Sequence, residues 1–240
     1  MIKLIECPRD AMQGIHDFIP TEVKANYLNL LLQCNFDTLD FGSFVSPKAI
    51  PQMRDTAAVL EQLELSTSST KLLAIIANQR GATDAAAFEE ISYLGYPLSV
   101  SETFQQRNTN RSIDTALQDL AAIQELCMQK GKTLVTYISM GFGNPYNDPY
   151  TPDVVATFVE RLIARMKEGG RLADTIGVSE PDNIKPLFET LIPAYPHMEI
   201  GAHLHSTPQT IREKLGAALE GGCMRVDGAI KGYGGCPMAA

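Results

Sequence analysis

The 240-residue chain is 45% hydrophobic and 20% charged, with a formal net charge of −8. It can bury a sizeable core, and its acidic balance argues against nucleic acid or an anionic membrane as the main partner. No apolar run approaches the roughly 20 residues that span a bilayer, and the five cysteines form neither a CxxC pair nor a disulfide framework, which fits a reducing cytoplasm.

Residues 2–7 read as a short strand, with no signal peptide before it, and Pro8, Arg9 and Asp10 end it. Thr21 is a good N-cap for a helix with Leu28, Leu31 and Leu32 on its apolar side. Residues 36–41 form the second strand, and a helix near Pro51 carries Met53, Ala57, Leu60 and Leu63. Residues 72–77 are an apolar run of the kind buried on both faces, followed by a helix capped at Thr83 and Asp84 and running through Tyr93. Strand four spans 97–100, then a polar loop begins at Ser101 and Glu102, and a helix covers about 112–129. Residues 132–139 are strand five, and Pro152 and Asp153 favour a helix start after Thr151. Strand six is 171–176, and a helix begins near Pro181. Strand seven ends in His203-Leu204-His205, Pro208 opens the next helix, and strand eight covers 223–230 before a glycine-rich tail.

Eight strands alternating with seven helices have the period of a (β/α)8 unit, so the expected class is α/β, a TIM barrel in one domain over residues 1–240. The last barrel helix is missing from this chain. A doubly wound open sheet is the alternative, but no Gly-x-Gly-x-x-Gly turn follows strand one.

Active sites of such barrels lie at the C-terminal strand ends. The polar residues there are Arg9 and Asp10, Asp40 and Ser43, Asn78 and Arg80, Ser101 and Glu102, Asp174, His203 and His205, and finally Cys236. In a strand, i and i+2 share a face, so His203 and His205 project together, as two ligands of one metal or as two polar groups bonded to water and backbone. Asp10 is the natural third ligand, giving an Asp/His/His set with open positions.

The strings Pro8-Arg9-Asp10-Ala11-Met12-Gln13, Gly42-Ser43-Phe44-Val45-Ser46-Pro47-Lys48, Asp174-Thr175-Ile176-Gly177-Val178, His203-x-His205 and Gly234-Gly235-Cys236-Pro237 resemble, in that order, the 3-hydroxy-3-methylglutaryl-CoA lyase family. The resemblance runs from about residue 2 to the last residue. It implies a Mg- or Mn-dependent lyase that cleaves a 3-hydroxyacyl-CoA to acetyl-CoA and a β-keto acid. Asp10, His203 and His205 would hold the metal, Arg9 would stabilise the thioester enolate, and Cys236 would handle the proton. Asp40 and Asp174 match acidic positions of the family's site, Asp40 standing where Glu is usual. Gln13, Ser43, Asn78, Glu102 and Lys48 match substrate-binding positions, with Lys48 and Arg80 available to CoA phosphates.

Three departures stand out: Ala11-Met12 replaces Gly-Leu, Ser206 replaces an Asp, and the family's fourth ligand, an Asn, would fall beyond Ala240, so the expectation is a truncated chain. The truncated barrel would expose apolar faces near strand eight, favouring association such as a homodimer. Two rival functions remain open: an acyltransferase condensing acetyl-CoA with a 2-oxo acid, and a non-catalytic barrel that binds metal or acyl-CoA.

Overall fold

Eight parallel strands close on themselves in sequence order, and the first pairs with the last. They are β1 (Lys3–Glu6), β2 (Thr38–Ser43), β3 (Lys71–Ile75), β4 (Ile91–Ser99), β5 (Thr133–Ser139), β6 (Arg171–Ile176), β7 (Ile200–Leu204) and β8 (Arg225–Gly228). The helices are α1 (Pro8–Gln13), α2 (Thr21–Leu32), α3 (Thr56–Leu60), α4 (Gln79–Ala86), α5 (Glu102–Thr109), α6 (Ile113–Gln129), α7 (Pro152–Ile163), α8 (Pro181–Ala194) and α9 (Ile211–Glu220). This computed structural model describes residues 1–164 and 179–234 and the backbone of 171–176. The expected barrel is therefore the observed one, and closure through β1 and β8 excludes the open sheet.

Two apolar layers hold the barrel. Outside the strands, Leu39, Phe41, Leu72, Leu94 and Leu134 pack against Leu28 of α2, Leu117 and Leu120 of α6 and Phe158 of α7. Inside, Leu73, Tyr93, Val135 and Tyr137 fill the β3–β5 side. The opposite interior side is charged: Arg225 and Asp227 on β8 are both buried and, two residues apart, face the same way. Gly201 on β7 makes room for this, since a Cβ there would come 2.9 Å from Arg225 Cδ.

Several boundaries differ from the sequence expectation. The helix expected to run through Tyr93 stops at Ala86, because β4 begins at Ile91 and pairs Tyr93 with both Leu73 and Thr133. Its cap is Asn78, whose side chain accepts from Gly81 N, rather than Thr83 or Asp84. Strand four is consequently nine residues long, not four. The polar stretch after Ser101 is the helix α5, capped by Ser101 through Phe104 N. The last helix opens at Ile211 rather than Pro208.

Candidate active site

Asp10 does not end a strand; it lies in the first turn of α1, which Pro8 starts directly after β1. That turn lifts Arg9 and Asp10 over the C-terminal mouth of the barrel. Asp10 Oδ1 accepts from Gln13 Nε2 at 2.7 Å and from Arg9 Nη1 at 3.0 Å. Its Oδ2 stands 3.9 Å from His203 Nε2. His203 and His205 project together, their ring centroids 5.7 Å apart. The ligand atoms of Asp10, His203 and His205 lie within 4.8 Å of one another, and the carboxylate and two imidazoles are a donor set that fits a divalent cation.

Neighbouring groups orient this set. Asp227 Oδ2 is 3.3 Å from His203 Nδ1, so Nε2 is the nitrogen left to face Asp10. From α9, the buried Lys214 donates to the His205 carbonyl at 3.1 Å. Burial is the largest influence on His203 and pulls its pKa down, but the hydrogen bond and charge of Asp227, with Asp10 behind them, leave it above the ordinary imidazole value. His205 is lowered, by burial and by the charge of His203, which favours the neutral, ligating form.

Arg9 is buried and heavily engaged. Nε donates to Asp40 Oδ1 at 3.2 Å and Oδ2 at 3.1 Å, Nη2 donates to Oδ2 at 2.5 Å, and Nη1 also reaches Gln13 Oε1 at 3.0 Å. Asp40 is fully buried, and burial pushes its carboxyl up to about 6 despite the guanidinium beside it. Arg9 itself is held above its ordinary value, because Asp40 and Asp10 outweigh the cost of burial.

These groups open on a cavity of about 440 Å³ lined by Cys7, Asp10, His203, His205, Asp227 and Gly234, among others. Gly234 has φ +131°, and a Cβ on it would come 2.8 Å from Asp10 Oδ2, so only glycine lets the tail backbone lie against that oxygen. Ser206, where the resembling family has Asp, also lines this cavity. Cys236 lies outside the described residues, and of Asp174 only the backbone is described, in β6 opposite Ala202.

The remaining expected site residues are dispersed. Ser43 and Asn78 line a second cavity of about 750 Å³ with Arg54 and Arg80. Lys48 is exposed and lines neither cavity, and the Glu102 carboxylate accepts from Ile113 N at the start of α6. Sequence reasoning missed Asp227 and Lys214. The usable signal for Asp227 was the pair of charges at Arg225 and Asp227, two residues apart in a strand, which a closed barrel must turn inward.

A closed parallel barrel with a carboxylate, two histidines and an arginine at its C-terminal mouth defines a TIM-barrel enzyme with a metal-type centre. Residues 2–237 match the family described as HMGL-like, and the chain belongs to that family. Among its relatives, the cytoplasmic 3-hydroxy-3-methylglutaryl-CoA lyase of Danio rerio is 32% identical over 241 residues, covering 99% of this chain and 71% of the relative. Hydroxymethylglutaryl-CoA lyase YngG of Bacillus subtilis is 32% identical, covering 97% of this chain and 77% of its own length. The HMG-CoA lyase of Acinetobacter baumannii, solved with coenzyme A and 3-methylmalate, superposes with a TM-score of 0.89 at 28% identity, covering 100% of this chain and 78% of that one.

Proposed function

We propose that this protein cleaves 3-hydroxy-3-methylglutaryl-CoA to acetyl-CoA and acetoacetate. The observation that carries the reading is the convergence of Asp10, His203 and His205 at the barrel mouth of an HMGL-like chain. These three would hold a divalent cation, Mg or Mn. When bound, the ion supplies Lewis acidity that acidifies the substrate's tertiary alcohol.

The chain's own residues account for the remaining steps. Asp227 keeps the His203 imidazole oriented, Lys214 holds the His205 backbone carbonyl, and Gln13 and Arg9 hold Asp10 by one oxygen. We assign the base to Asp174, whose strand neighbours β7: it takes the hydroxyl proton as the carbon–carbon bond breaks. The electron pair passes to the thioester enolate of acetyl-CoA, and the alcohol carbon becomes the keto carbon of acetoacetate. Arg9, its plane fixed by Asp40, offers a permanent positive charge to that enolate oxygen. Cys236 delivers the proton to the enolate carbon. Ser43 and Asn78 open onto the second cavity, where Arg54 and Arg80 suit the CoA phosphates together with Lys48 on the exposed loop, while Glu102 anchors the start of α6.

We also assign a cytoplasmic location, supported by Cys7, Cys34 and Cys127 being free thiols, and a homodimer, supported by exposed Leu4 and Met224 near the β1–β8 seam. No helix among the described residues is long and apolar enough to cross a membrane. The test is to incubate Mg- or Mn-loaded protein with the thioester. Equimolar acetyl-CoA and acetoacetate, abolished by chelator, are expected. Absence of acetoacetate overturns the reading, and thiol release from acetyl-CoA with a 2-oxo acid would point to an acyltransferase instead.

A further inference from the structure

His203 has two ring nitrogens, and the Asp10–His203–His205 donor set uses one of them. Around the same residue a second set converges: Cys7, His203 and Asp227 are all buried, with ligand atoms within 4.8 Å of one another. Their spacing is informative. Asp227 Oδ2 and His203 Nδ1 are 3.3 Å apart. Without an ion this is a hydrogen bond at the long end of the normal range. Nitrogen and oxygen ligands each about 2.0–2.1 Å from a tetrahedral ion stand about 3.3 Å apart.

The chemistry of the donors is equally selective. A thiol, an imidazole and a carboxylate together are the ligand types of zinc, whereas magnesium prefers oxygen ligands and retains its waters. A thiolate and a carboxylate bring two negative charges to a dication, in a site where the buried Arg225 guanidinium already stands 3.8 Å from Asp227 Oδ1. Cys7 and Asp227 line the same cavity as Asp10 and His205, so the inner set has a route to solvent. Asp227 Oδ1 is buried with no hydrogen-bond partner among the described residues, 3.8 Å from Arg225 Nε, so the carboxylate is not saturated by the protein.

We propose that Cys7, His203 and Asp227 form an inner metal position, distinct from the Asp10–His203–His205 set, that takes a thiophilic divalent cation of the zinc or cadmium class. Binding exchanges protons for the ion: the Cys7 thiol proton, and any proton on His203 Nδ1, leave through the cavity to solvent, and a metal–sulfur bond forms with no change of oxidation state. Because His203 belongs to both sets, an inner ion withdraws Asp227 from its orienting role and places a second positive charge across the same ring. The inner ion therefore antagonises the outer one. That consequence rests on the outer set being the catalytic one; the inner binding does not.

The test is a cobalt titration of the metal-stripped full chain, cobalt standing in for zinc and reporting thiolate ligation by a sulfur-to-metal charge-transfer band in the near ultraviolet. The band is expected in the native protein and in Cys236→Ala, and lost in Cys7→Ala and Cys7→Ser. Competition titration should show zinc affinity falling in the Cys7 variants by at least the roughly 10–100-fold that loss of an outer-shell partner costs, with manganese affinity changed far less, since it prefers oxygen and nitrogen donors. Cys7→Ser, close to cysteine in size, carries the comparison if Cys7→Ala does not fold, and cadmium NMR of Cys236→Ala gives a sulfur-bound shift without touching Cys7. A native protein with no band, a band that survives both Cys7 changes, or one lost only in Cys236→Ala overturns the inner site. Zinc inhibition of the lyase that is equal in native protein and Cys7→Ser overturns the antagonism alone, and failure of all turnover leaves the spectroscopic result standing.

Discussion

Asp227 grips His203 by Nδ1, and this contact decides which nitrogen faces Asp10. An orienting carboxylate of this kind typically contributes about 10–100-fold to metal affinity. Asp227→Asn should therefore weaken manganese binding by that factor, read by calorimetry or electron paramagnetic resonance; unchanged affinity would show that packing against Tyr137 is enough to fix the ring. Arg9 makes a sharper case. Lysine keeps the charge but cannot reproduce the two-nitrogen grip on Asp40 or the third contact to Asp10 and Gln13. Arg9→Lys should lower kcat about 10²–10³-fold, the usual cost of removing a donor to a developing oxyanion, with KM changed far less, measured in steady-state assays. A fall confined to KM would remove Arg9 from the enolate. At this scale the sequence is informative wherever two residues speak together: His203 and His205 share a face by strand periodicity, and Asp10 follows from strand order. Lys214 is hidden because its role depends on α9 packing against β7, which no local pattern encodes.

Helix α5 shows how an element can be held from outside its own sequence. Its N-terminus is capped by Ser101, and Asp148, from the loop after β5, accepts from Ser101 Oγ at 2.5 Å, Thr103 N at 3.0 Å and Thr103 Oγ1 at 3.0 Å. The Ser101 hydrogen bond is the largest of the influences that hold the Asp148 carboxyl below its ordinary 3.8. A lowered folded-state pKa means that the contribution is fully present above the unfolded value and is lost as pH falls below it. Amide exchange in α5 should accelerate as pH drops below about 4, beyond the intrinsic pH trend, and Asp148→Asn should remove that step by loosening α5 already at neutral pH. Identical protection in native and variant protein would show that Ser101 alone caps the helix. From sequence this segment reads as a loop because its polar residues carry no apolar stripe, and the stabilising partner is 45 residues away. The reverse holds at α4 and β4, where an alanine-rich stretch carries the helical reading into Ile91 and Tyr93, residues whose branched and aromatic side chains fit a strand.

Across the whole molecule, the outer face where β8 meets β1 stands out among the described residues as an exposed apolar strip. Leu4, Ile2 and Met224 are 54%, 42% and 48% exposed there, although Leu4 pairs in register with Val226 in the barrel wall. The charged interior beside them cannot compensate, since Arg225 and Asp227 face the other way. An apolar strip of this kind lowers its free energy by leaving water, at about 25 cal/mol per Å² covered. Two copies of this face meeting would cover it symmetrically, as isologous dimers do. The 240-residue chain should accordingly show a mass that rises with concentration in light scattering. Leu4→Glu combined with Met224→Lys should hold it at one copy, with the circular dichroism of the barrel retained because both side chains point outward. If the doubly charged variant associates as the native chain does, the contact lies on another face, and the strip between β8 and β1 is simply tolerated exposure.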